Sequence, residues 1–91
     1  MPERCAAKLK IRNRLGLHAR PAMAFVDTAS GYTSSVRIHR GDEHVDGKSI
    51  MEIMLLAATQ GTEIEVIVEG DDAGACLAEL TALVNRGFDE E

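Results

Sequence analysis

Gly16-Leu17-His18-Ala19-Arg20-Pro21-Ala22 places a histidine at the mouth of a helix, with an arginine two residues on and a proline directly after it. Proline is pre-set in φ for the first helical position, where its missing N–H has no partner to lose. The apolar residues that follow, Ala22, Phe25, Val26 and Ala29, recur at helical spacing and predict a helix from about Ala19 to Ser30. Its free N–H groups and the positive end of its dipole then point at the His18 imidazole. That setting suits an anion carried by the ring or arriving at it, and a phosphoryl group is the first candidate.

Working outward, Cys5, Ala7, Leu9 and Ile11 alternate with Arg4, Lys8, Lys10 and Arg12, the pattern of a strand with one buried face. Gly31 is a natural end for the helix. Val36 and Ile38 mark a second strand, Gly41-Asp42 a turn and Val45 the centre of a short third strand, which together make a hairpin. Gly47-Lys48 breaks the chain again. Ser49-Ile50-Met51-Glu52 has the serine-to-glutamate spacing of a capping box and opens a short second helix toward Ala57 or Ala58. Gly61 precedes a fourth strand from Thr62 to Glu69, with Ile64, Val66 and Val68 on one face. Asp72 is expected to cap a last helix whose inner side carries Cys76, Leu77, Leu80, Leu83 and Val84. The order β-α-β-β-α-β-α, with strands alternating in polarity, predicts an α+β fold. Its form is an open-faced two-layer α/β sandwich, a four-stranded antiparallel sheet with three helices on one face. Residues 1–91 read as a single domain, without linkers, repeats or low-complexity segments.

Composition narrows the function. Apolar residues are 45% of the chain, with one Tyr and two Phe, so the core is aliphatic. Ten basic against fifteen acidic residues give a net charge of −5, which argues against a nucleic-acid binder that works by neutralising phosphates. The charge is uneven. Lys8, Lys10, Arg12, Arg14 and Arg20 cluster in sequence around His18, whereas carboxylates dominate from Glu63 onward, a distribution expected to steer a negatively charged partner toward the histidine. Cys5 and Cys76 lack motif spacing, and no secretory signal or apolar run near the length of a membrane span is visible. The expectation is a cytoplasmic protein with reduced thiols and no membrane insertion. His39 and His44 flank the Gly41-Asp42 turn and face each other across the hairpin; lacking a third ligand, they read as surface strand residues, not a metal site. No nucleophile–base pair, metal quartet or Gly-rich phosphate loop suggests an enzyme or calls for a cofactor.

With these elements placed, Leu15-Gly16-Leu17-His18-Ala19-Arg20-Pro21-Ala22 and Gly47-Lys48-Ser49-Ile50-Met51-Glu52-Ile53-Met54 can be read together. The chain resembles the histidine-containing phosphocarrier (HPr) family of the bacterial phosphotransferase system over nearly its whole length, with both motifs at the family's separation. The resemblance implies strand order 1-4-2-3 and a monomeric carrier that is a substrate of other enzymes. It implies that His18 accepts a phosphoryl group on Nδ1 from phosphorylated enzyme I, ultimately from phosphoenolpyruvate, and passes it to IIA domains of sugar permeases. On this reading the backbone N–H groups of Ala19 and Arg20 donate to the phosphate, and the Arg20 guanidinium grips two of its oxygens.

The resemblance also implies regulatory phosphorylation of Ser49 by a serine kinase/phosphorylase. Leu17, Lys48, Ile50, Met51 and Met54 then join the His18 region in one docking face. Glu52 stands where the family commonly has a small residue, so a phosphate on Ser49 meets a carboxylate three residues away. A second function class is a regulatory binding module of a nitrogen or carbon branch, acting by protein contacts alone. The presence of both His18 and Arg20 favours the carrier.

Overall fold

Along the chain the elements are β1 (Glu3–Lys10), α1 (Ala19–Ser30), β2 (Ser35–Arg40), β3 (Glu43–Asp46), α2 (Ile50–Leu55), β4 (Glu63–Gly70) and α3 (Ala73–Asn85). A 3-10 turn, Gly87–Asp89, follows α3 in the computed structural model, which describes residues 3–90. The strands form one antiparallel sheet in the order β1-β4-β2-β3. This is the expected open-faced sandwich.

Register makes one face of the sheet continuous in apolar side chains. Ala7 lies opposite Val66, Val66 opposite Ile38, and Ile38 opposite Val45, so a single row crosses all four strands. Phe25 from α1, Ile53 from α2 and Leu80 from α3 belong to the same buried core as Val66 and Ile38. Because side chains alternate along each strand, the opposite face collects the polar set. There Arg4 stands across from Glu69, Lys8 from Glu65 and Lys10 from Glu63. The basic residues of β1 are therefore matched by β4 carboxylates on the open face. Of the expected steering charges, only Arg12, Arg14 and Arg20 lie beyond the strand. His39 and His44 stack across the hairpin with ring centroids 3.6 Å apart, and burial first, His44 second, lowers the pKa of His39.

Several local readings are corrected. Pro21 sits at the third helical position, since α1 begins at Ala19; it is tolerated there because that N–H also precedes the helix's first hydrogen bond. The second helix stops at Leu55 and does not reach Ala57, whose φ of +50 ends it. The fourth strand is offset by one residue, Glu63–Gly70. Asp72 makes no side-chain cap on α3. Its carboxylate instead accepts from the backbone N–H and hydroxyl of both Thr33 and Ser34, tying the α1–β2 loop to the start of α3. Leu77 is only half-buried, and both cysteines are free thiols. The 3-10 turn was not foreseen. It drives Phe88, 6% exposed, into the core and carries Glu90 back across the molecule.

Candidate functional site

His18 owes its position to the turn before it. Gly16 takes a φ of +71, and the Leu17 N–H donates to the Ala58 carbonyl at 2.8 Å, pinning the turn to the segment after α2. Leu17 is thereby buried, at 4% exposure, and His18 follows as the extended N-cap of α1. Its carbonyl accepts the Ala22 N–H at 3.0 Å, the first bond of the helix. Pro21 has no N–H, so Ala19 and Arg20 supply the backbone donors left outside the helical ladder. The imidazole is half-exposed beside them.

On the other side of the ring, Nε2 lies 3.0 Å from Glu90 Oε1. The same carboxylate oxygen accepts from Asn13 Nδ2 at 3.0 Å, and Asn13 also donates to the Gly16 carbonyl at 2.7 Å. An ionised carboxylate only accepts, so Nε2 carries a proton in this arrangement, and in the neutral ring the lone pair then lies on Nδ1. Neither Asn13 nor Glu90 was among the residues expected at the site. Arg20 is exposed, with no hydrogen bond or ion pair among the described residues. It lines a shallow cleft with Leu15, Pro21, Phe88 and Glu90, on the side of α1 that faces the C-terminal turn.

The second motif meets the first through the same surface. Ser49 is the N-cap of α2, its hydroxyl accepting the Glu52 N–H at 3.3 Å. The capping box is only half closed, because the Glu52 carboxylate takes the Asp46 N–H at 3.1 Å while the Ser49 N–H goes to the Asp46 carbonyl. Ile53 in this short helix and Leu56 just after it are buried, and Ile50, Met51, Met54 and Leu55 are left outward. With Leu15 these make an apolar surface, and Met54, Ala57 and Leu15 border a groove that runs to His18. Two members of the expected docking set are not freely exposed. Leu17 is in the core. Lys48 is half-buried, its ammonium donating to the Tyr32 carbonyl at 2.8 Å. Leu15 and Leu55, at 66% and 74% exposure, are outward apolar side chains that the expected set did not name.

The family model for the PTS HPr component phosphorylation site matches residues 5–86, a span that contains His18, Arg20 and Ser49. The chain belongs to the HPr family. The phosphocarrier protein HPr of Pseudomonas aeruginosa is 46% identical over 86 residues, covering 93% of this chain and 96% of that protein. The phosphocarrier protein HPr of Neisseria meningitidis serogroup A is 45% identical over 82 residues, covering 90% of this chain and 92% of its own length. Among solved structures, that of HPr-C-His from Thermoanaerobacter tengcongensis superposes with a TM-score of 0.92 at 39% identity, covering 96% of this chain and 98% of its own. HPr proteins are phosphocarriers of the phosphotransferase system, not enzymes.

Proposed function

We propose that this HPr protein takes a phosphoryl group onto Nδ1 of His18 from phosphorylated enzyme I and gives it to IIA domains of sugar permeases in the cytoplasm. The observation that supports this most directly is the outward imidazole at the start of α1, with Nε2 engaged by Glu90 and the N–H groups of Ala19 and Arg20 beside it. Attack by Nδ1 forms the new N–P bond as the bond from phosphorus to the donor's nitrogen breaks. No proton has to move on His18, because Nε2 keeps its own. The helix N-terminus favours the phosphate dianion that results. Arg20 adds a planar fork that two phosphate oxygens fit, which a lysine ammonium does not reproduce.

The half-exposed ring sits on the surface, so a partner must close over it to exclude water. The outward side chains of α2 and Leu15 form the apolar part of that docking face. A phosphate on Ser49 places roughly −1.5 to −2 charges on its rim and acts on partner binding, since the α2 dipole tolerates an anion at that position. No helix long and apolar enough to cross a membrane occurs among the described residues.

Incubation with enzyme I and phosphoenolpyruvate is expected to add one acid-labile phosphate to the protein and none to His18→Ala. Arg20→Lys is expected to slow transfer about tenfold or more with little change in stability. No mass gain in the wild type would overturn the carrier reading in favour of a module that acts by contacts alone.

A further inference from the structure

We infer that Asn13 is a positioning residue for phosphoryl transfer, acting on His18 through Glu90; the inference rests on the carrier reading above for its purpose, though not for its test. Asn13 lies in the loop after β1 and is 3% exposed. Its amide nitrogen spends both hydrogens on named acceptors, the Gly16 carbonyl and Glu90 Oε1. Its amide oxygen is buried with no partner. An orphaned buried acceptor is costly, and an apolar side chain would avoid that cost. The two donors explain why an amide occupies the position, and their direction explains what it does.

One donor fixes the turn that aims His18. The other fixes the carboxylate that decides which ring nitrogen is protonated. Glu90 directly follows the 3-10 turn. Here its backbone N–H bonds the Gly87 carbonyl at 3.0 Å, Phe88 anchors the turn in the core, and Asn13 holds the carboxylate oxygen itself. The ring is thereby kept as the Nε2–H tautomer, with the lone pair on Nδ1. When Nδ1 bonds phosphorus the ring becomes cationic, and the Glu90 carboxylate at Nε2 opposes that charge without taking the proton. The parallel with a carboxylate that orients a catalytic imidazole is one of chemistry, not of fold.

The test is the tautomer of His18 in the unphosphorylated protein, read from its two imidazole ¹⁵N shifts, together with the rate of phosphorylation by enzyme I. Asn13→Leu removes both donors at similar volume. It is expected to raise the Nδ1–H tautomer and slow phosphorylation about tenfold, as loss of an outer-shell partner commonly does. Glu90→Ala is expected to do the same, and adding Asn13→Leu to Glu90→Ala is expected to slow transfer less than the same change does in the wild type. An unchanged tautomer in Asn13→Leu, or an equal loss of rate with and without Glu90, overturns the inference. If Asn13→Leu does not fold, the tautomer of Asn13→Asp decides, since its carboxylate repels Glu90; an unshifted ring there also overturns it. A wild type that takes no phosphate sinks the carrier reading, while the tautomer measurement still judges Asn13.

Discussion

Gly16 and Ala58 meet backbone to backbone beneath the histidine. A Cβ added at Gly16 would collide with the Ala58 carbonyl oxygen, the same oxygen that accepts the Leu17 N–H. The φ of +71 at Gly16 adds the ordinary left-handed penalty for any other residue. Gly16→Ala is therefore expected to cost about 2–4 kcal/mol, combining that penalty with a forced shift of the turn. Gly61, at a φ of +88 with nothing within 4 Å of its added Cβ, carries the penalty alone. Its alanine variant is expected to lose only about 1–2 kcal/mol. Thermal melts followed by circular dichroism compare them, and equal losses would refute the role given to the Ala58 contact.

Leu15 and Leu17 are two residues apart and differ in everything but chemistry. Leu17→Ala opens a hole in the core and is expected to cost about 2–5 kcal/mol. Leu15→Ala is expected to stay within about 0.5 kcal/mol of the wild type. Leu15→Glu is expected to weaken enzyme I binding while the denaturation midpoint holds. A binding titration that does not distinguish Leu15→Glu from wild type would remove Leu15 from the docking face.

Ser49 separates structure from regulation. Ser49→Ala loses the bond to the Glu52 N–H and is expected to cost about 0.5–1 kcal/mol. Ser49→Asp keeps an N-cap acceptor, so its melting temperature is expected to stay near the wild-type value. Its affinity for enzyme I is expected to fall, because the new carboxylate adds to that of Glu52 at the edge of the apolar surface. Undiminished affinity counts against regulation by charge at this position.

Asp72 is expected to contribute to the acid limb of stability. The Ser34 hydroxyl first, and the Thr33 backbone N–H next, lower its pKa from 3.8 to about 2. The folded state thus binds this proton less readily than the unfolded chain. The associated stability is complete above the unfolded value and is lost as pH falls through about 2. Asp72→Asn is expected to flatten the decline in urea midpoint below about pH 4. An acid limb identical in the two proteins would show that other carboxylates dominate it.

The sheet was legible because alternation along Cys5–Ile11 and Ile64–Val68 leaves one face that water cannot satisfy, and strands of that kind seek each other. Helix α1 was legible to its last residue, since its apolar spacing and the glycine after it are both local signals. The capping box was legible as a pattern, yet only the serine half formed; Glu52 found the Asp46 N–H closer to hand. Asp72 was misread for a similar reason. Its side chain is chemically suited to capping, but the loop bearing Thr33 and Ser34 offered more donors than its own helix did.

His18 at the start of a helix, followed by Arg20, was determined by the sequence alone, because an N-cap depends on residues a few positions apart. The strand order was implied by the resemblance alone, since alternating polarity says which face is buried and not which strands are neighbours. Folding in three dimensions was needed to bring Glu90 to the ring and Asn13 to Glu90, 77 positions away in the chain. It also decided that Leu17 points inward while Leu15 stays in water, and that Lys48 serves Tyr32. Hydrophobic burial has no direction of its own, and a hydrogen bond joins whichever groups packing delivers to within 3 Å; neither can be read before the chain has closed on itself.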